Sequence, residues 1–212
     1  MIYLCAGLYA EGKTDYDLLL PLLPRLLDDI GARVCPGAYE VAEAVGIDTP
    51  AAPHEPRADR IARAVSAYWQ QCTLFVIHGD GAGDPERARK ERVEPGVAAA
   101  RTAVPDTLAA AACVPVRETE AWMLVDPAVF EELGARNVQL PAEPESVLDP
   151  KAVFEELLKS AGIRRPPTRF YPFFGERLSL ARLRTLASFN AFERELEMAV
   201  RSLLHAAPAR AR

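Results

Sequence analysis

Residues 73–77 are apolar or β-branched at every position, and the chain then breaks into His78-Gly79-Asp80-Gly81-Ala82-Gly83-Asp84. An unbroken apolar run closed by glycines predicts a strand buried on both faces. A second run of this kind opens the chain, at residues 1–9 with Ile2, Tyr3, Leu4 and Cys5. It leads into Ala10-Glu11-Gly12-Lys13-Thr14-Asp15, where Thr14 followed by Asp17 resembles a capping box and predicts a helix start. The helix body, residues 18–30, is leucine-rich. Pro21 and Pro24 predict that it is kinked or begins late, and Gly31 is expected to close it.

Beyond it, residues 33–41 read as an edge or hairpin strand and 47–56 as a loop. Residues 57–71 show helical spacing in Ile61, Val65, Tyr68 and Trp69. After the central strand, a charged helix is expected from Pro85 to about Val104, with the proline at its first position. A further strand at 109–116 precedes a helix start at 117–126, and Pro127 restarts a short helix through Leu133. Residues 135–149 read as a linker. Helices are then expected at 151–161, 178–186 and 189–204, with an aromatic, proline-rich turn at 166–175. The tail from Ala206 should fray. The order β-α-(β)-α-β-α-β-α predicts an α/β fold, a mainly parallel sheet flanked by helices, with a C-terminal all-helical extension. The expected division is residues 1–134, a linker at 135–149, an extension at 150–206 and a tail at 207–212.

Composition narrows the class. With 212 residues, half of them apolar, and no run of membrane-spanning length, the chain reads as a globular protein with no membrane partner. The apolar opening has no basic leader and meets Glu11 early, so no signal peptide is expected. Cys5, Cys35, Cys72 and Cys113 stand singly, which predicts reduced thiols in a cytoplasmic protein rather than zinc ligands or disulfides. The net charge of −5 hides a division. Residues 164–212 hold ten arginines against four glutamates, while residues 1–163 hold fifteen basic against twenty-six acidic residues. A basic C-terminal region on an acidic body is compatible with nucleic-acid contact and equally with a solvated helical face.

Parallel strands bring their carboxyl ends to one edge, where open α/β sheets bind ligands. Glu11, Asp80 and the Glu118/Glu120 pair would gather there. Carboxylates so placed repel one another unless a cation sits between them, and oxygen ligands suit magnesium or manganese. Each acid taken alone is as well explained as a helix cap or a solvated turn. There is no Walker-type loop and no G-x-G-x-x-G turn, which argues against a small-molecule phosphotransfer enzyme.

The segment 10–15 after a strand, followed by a hydrophobic strand ending at Asp80-Gly81, resembles the topoisomerase–primase (TOPRIM) fold. It is most similar to a small bacterial TOPRIM-like family related to the overcoming-lysogenization-defect nucleases. Glu120-Ala121-Trp122-Met123-Leu124-Val125-Asp126 resembles that family's third block, and residues 151–192, with Gly175-Glu176 and Phe189, resemble its helical tail. The resemblance implies a magnesium- or manganese-dependent nuclease, of a kind often paired with a structural-maintenance-of-chromosomes-type or AAA-type ATPase in phage defence. It implies Glu11 as metal ligand or acid–base and an Asp-x-Asp pair after the later strand. Here the pair is His78-Gly79-Asp80. Either Glu11, Asp80 and Glu120 hold the metal with His78 beside it, or the site has lost catalysis and acts as a binding module. Asp84 either supplies a missing carboxylate or caps a loop. Lys13, Arg164, Arg165 and Arg169 are the candidate nucleic-acid contacts.

Overall fold

The computed structural model describes residues 1–50, 53–104 and 107–206, so the expected tail at 207–212 lies outside the described residues. The opening apolar run forms β1 (Ile2–Leu4) and β2 (Ala6–Tyr9). They are separated at Cys5, whose N–H turns to the Thr73 hydroxyl (2.9 Å). β3 (Tyr39–Val41) pairs with β1 and β4 (Val45–Gly46) with β2, both in parallel, so this path is an edge and not a hairpin. β5 (Leu74–His78) lies between β2 and β6 (Ala110–Cys113), again parallel to both. The spatial order β4-β2-β5-β6 means that the chain leaves β2 to one side and returns to continue on the other. The strand order therefore reverses between β2 and β5, where the crevice of an open parallel sheet lies.

β5 is buried at all five positions, and its alternation divides two cores. Leu74 and Val76 face the cluster of α1 (Lys13–Val34), while Phe75 and Ile77 face Ile61, Val65 and Ala100 of α2 (Arg57–Tyr68) and α4 (Glu94–Ala103). Between them on the chain, α3 (Pro85–Ala88) runs into a π-helical turn at Arg89–Val93 and then into α4, where one regular helix was expected. Asp84 caps α3, accepting the Arg87 N–H at 3.0 Å.

α1 begins ahead of both prolines and runs through them for 22 residues, so it does not start late. Seven of its aliphatic side chains (Leu18, Leu19, Leu22, Leu23, Leu26, Leu27 and Ile30) are buried. Burying each is worth about 1.5–3 kcal/mol, which together outweighs the roughly 3 kcal/mol cost of each interior proline. Gly31 lies within the helix; the Cys35 N–H bonded to the Gly31 carbonyl (2.9 Å) ends it at Val34. The cap is Gly12 rather than Thr14, because the Asp15 carboxylate reaches back to the Gly12 N–H (3.0 Å).

After β6 come α5 (Glu120–Met123), α6 (Pro127–Glu132), α7 (Pro150–Ser160), α8 (Tyr171–Arg177), α9 (Leu180–Leu183) and α10 (Ala187–Ala206). The chain is thus α/β, a parallel sheet flanked by helices with a helical C-terminal region. α8 forms within the stretch expected to be a turn, preceded by a 3-10 turn at Pro167–Phe170. The C-terminal helices share the α1 core: Phe154, Tyr171, Phe174, Phe189 and Phe192 belong to the same buried cluster as Leu8 and Val76. Gly175 makes the α8–α1 contact possible, since a Cβ there would stand 2.2 Å from the Leu18 carbonyl oxygen. Arg25 of α1 donates to the Gly175 and Leu178 carbonyls at 2.8 and 2.7 Å, closing the end of α8. Within 135–149, Glu145 accepts the Ala187 and Ser188 N–H groups at 2.9 Å each and so starts α10. Glu195 of α10 accepts the Ala112 N–H (3.0 Å), covering part of the β6 edge. No described helix is long and apolar enough to cross a membrane.

Candidate metal centre

The reversal between β2 and β5 places two loops side by side, Glu11-Gly12 after β2 and Gly79-Asp80 after β5. His78 ends β5 on the same face as Leu74 and Val76, which is the α1 face. There it meets Asp15 in the first turn of α1: Nδ1 lies 3.8 Å from Asp15 Oδ2, and Nε2 lies 3.5 Å from Asp80 Oδ1. One donor atom from each of Asp15, His78 and Asp80 falls within 4.8 Å of the others. Ligand atoms about 2.1 Å from a common ion stand roughly 3.0 Å apart in cis and about 4.2 Å in trans, so a closing of the side chains by up to about 0.6 Å would bring the three atoms onto one cation.

Both His78 nitrogens and Asp80 Oδ1 are buried and make no hydrogen bond among the described residues. A neutral imidazole carries one N–H, and leaving it unpaired in the interior costs about 1–3 kcal/mol. Burial lowers the His78 pKa, against the opposing pull of Asp15 and Glu11, so the ring is neutral and the two short approaches are not salt bridges. Burial first, and then Asp15, Glu11, Glu120 and Glu118, push the Asp80 pKa up to about 8. A divalent cation between these groups would satisfy an imidazole nitrogen and Asp80 Oδ1 while relieving the repulsion. The donor set fits: two carboxylates balance the charge, and one imidazole inclines the site toward manganese over magnesium.

Asp15 is held from two sides. Its Oδ2 accepts the Gly12 N–H, and its Oδ1 accepts the buried Thr119 hydroxyl at 2.9 Å. Asp15 stands in the string after β2 and is not among the residues expected at the site. Its place three residues after the Gly12 cap, in the first turn of α1, is the signal that marks it. Thr119 carried no signal at all.

The other expected residues surround the centre. Glu11 pairs with Arg57 (3.1 Å) and with Arg92 of the π-helical turn (3.3 Å), outside the three-residue group. Arg57 is itself fixed by donating to the His78 carbonyl (2.7 Å) and the Arg92 carbonyl (3.0 Å). Glu120 is buried and accepts the Tyr171 hydroxyl at 2.5 Å; burial raises its pKa. Asp84 is engaged as the α3 cap, although it lines a cavity of about 280 Å³ together with Asp80, Gly81, Arg87 and Arg92. Gly81 is required there, because a Cβ would lie 2.2 Å from the Pro115 carbonyl oxygen.

Lys13 lines a second cavity, of about 380 Å³, on the Glu11 side. Arg164, Arg165 and Arg169 are exposed between α7 and α8 and line neither cavity. Much of the basic C-terminal charge is spent in ion pairs: Arg177 with Glu132 and Glu176, Arg182 with Asp126, Arg184 with Asp29 and Glu193, Arg201 with Glu197. The three arginines of the turn have no ion-pair partner among the described residues. All four cysteines are free thiols. Comparison with known proteins finds no matching family model, no matching curated protein and no matching solved structure, so the functional reading rests on the geometry of this centre.

Proposed function

We propose that this chain is a divalent-metal-dependent phosphodiester-cleaving enzyme acting on nucleic acid, with Asp15, His78 and Asp80 holding the metal. The observation that carries the reading is a fully buried imidazole, unbonded at both nitrogens among the described residues, set between two carboxylates. A bound manganese or magnesium ion would polarise a phosphoryl oxygen and lower the pKa of a coordinated water. Glu11, kept at the rim by Arg57 and Arg92, would accept the proton of the attacking water, and the leaving alkoxide would take a proton from solvent. Thr119 and Tyr171 orient Asp15 and Glu120. The TOPRIM-like resemblance adds an ATPase partner to this proposal.

A second reading is a catalytically impaired TOPRIM-like module that binds an ATPase or nucleic acid. The feature that favours it is His78 in place of the first aspartate of the expected pair. Incubating single- and double-stranded substrates with the purified chain and manganese or magnesium separates the two. The enzyme reading expects manganese-dependent cleavage that Asp80→Ala abolishes. Cleavage surviving Asp80→Ala would sink the metal assignment. Manganese binding that depends on Asp80, with no cleavage in the presence or absence of an ATPase, would favour the module.

A further inference from the structure

The cavity on the Glu11 side contains two cations that the centre does not use. Arg60 and Lys13 both line it, with Tyr9, Tyr16 and two carboxylates, Glu11, which Arg57 and Arg92 neutralise, and the exposed Asp48. The Arg60 Nε is buried and makes no hydrogen bond, and its guanidinium has no ion-pair partner among the described residues. Instead it lies 5.9 Å from the Tyr9 ring centroid, sharing that ring with Arg57 at 5.4 Å. Two guanidinium groups on one ring repel each other, and only Arg57 is neutralised, by Glu11. Lys13 likewise has no carboxylate partner among the described residues. The contrast with the Asp80-side cavity is clear. There Arg87 is bound to Glu91, and Arg92 to Glu11.

A buried donor without an acceptor, next to a second unpaired cation, is an arrangement that an anion completes. The cavity adjoins the metal centre directly, because Gly12 lines it and donates its N–H to Asp15. Asp80 lines the other cavity. We propose that the cavity between Lys13 and Arg60 is a phosphate subsite, holding a backbone phosphate of the substrate strand next to the one at the metal. This rests on the reading of the centre as acting on nucleic acid. A strand lying across the centre has phosphates on both sides of the reacting one, and the unpaired cations sit on the Glu11 side. Arginine supplies fixed N–H donors to phosphate oxygens, and lysine adds a point charge.

The test is equilibrium binding of a short fluorescein-labelled single-stranded oligonucleotide across a salt series, in EDTA and again with calcium. Wild type, Arg60→Gln, Arg60→Lys and Lys13→Gln are compared, with circular dichroism to confirm folding; Lys13 is exposed and tolerates change. Each loss of charge is expected to weaken binding about three- to tenfold and to lower the slope of log K against log salt by about 0.7. Arg60→Lys should keep the slope while weakening binding, and inorganic phosphate should compete in the wild type but not in Arg60→Gln. No oligonucleotide binding by the wild type in either condition overturns the proposal. So do unchanged affinity and slope in Arg60→Gln and Lys13→Gln, or binding of inorganic phosphate alone. Because these measurements involve no turnover, Arg60-dependent binding without Asp80-dependent cleavage would leave the subsite standing while the cleavage reading falls.

Discussion

The Tyr171 hydroxyl donates to Glu120 Oε1 over 2.5 Å, with both residues buried. Tyr171 opens α8 in the helical C-terminal region, and Glu120 opens α5 beyond the end of β6. One hydrogen bond thus ties the helical region to the acidic edge where the candidate centre lies. Burial raises the Glu120 pKa and the Tyr171 bond pulls it back down, so the tyrosine helps to keep this carboxylate ionised.

Tyr171→Phe should therefore destabilise the chain at neutral pH. Leaving Glu120 without its donor costs about 1–3 kcal/mol, and each kcal/mol moves Tm by roughly 2–4 °C at this size. Thermal denaturation at neutral pH checks it. At acidic pH, where Glu120 is protonated and needs no donor for its charge, the deficit should shrink. An unchanged Tm at both pH values would show that the bond contributes nothing.

Asp80 makes its own contribution to the pH dependence of the metal-free chain. In the folded state its pKa is about 8, against an ordinary value of 3.8. At this group the folded state then binds more protons than the unfolded one between those values, so the Asp80 contribution to stability falls as pH rises through that window and levels off above about pH 8. Asp80→Asn should raise the Tm of the EDTA-treated protein at pH 8 and flatten this slope. A Tm difference between Asp80→Asn and wild type that does not grow with pH across the window would contradict the assignment.

Metal binding should compete with the same proton. Below about pH 8, manganese should release up to one proton per ion from Asp80, and its affinity should drop about tenfold per pH unit. Titration calorimetry in buffers of different ionisation enthalpy measures the release. Saturation at 100-fold over Kd should stabilise the fold by about 2.7 kcal/mol, and Asp15→Asn or Asp80→Ala should remove that gain.

His78→Asp replaces a neutral buried ring by a third carboxylate within the centre. Metal affinity should shift from manganese toward magnesium, and magnesium-dependent cleavage should rise if the chain is an enzyme. The metal-free variant should be less stable than wild type, since another charge is buried among like charges. Metal titrations that show no change in preference would mean that His78 is not a ligand.

Gly175→Ala tests how firmly the helical region is seated on α1. A Cβ there meets the Leu18 carbonyl oxygen at 2.2 Å and Pro21 Cγ at 2.6 Å, and backbone cannot rotate out of the way. Destabilisation of about 1–3 kcal/mol is expected from chemical denaturation. A change well below that range would show that α8 moves freely against α1.

The sequence alone determined the parallel α/β order, the double-sided burial of β5 and the placing of Glu11, His78 and Asp80 at strand ends. All of these follow from local patterns: an apolar run of strand length, glycine breaks, and the rule that parallel strands share a carboxyl edge. What the tertiary structure decided is how those ends are joined. Asp15 becomes a candidate ligand because Gly12 and Thr119, the latter 104 residues away, fix its two oxygens. Tyr171 reaches Glu120 across 51 residues, a pairing that no periodicity encodes. α1 runs through Pro21 and Pro24 because the core it buries is worth more than two missing hydrogen bonds. Local propensity reads a few neighbouring residues at a time. Burial and convergence sum over contacts distant in the chain, and here they set the centre and its unpaired groups.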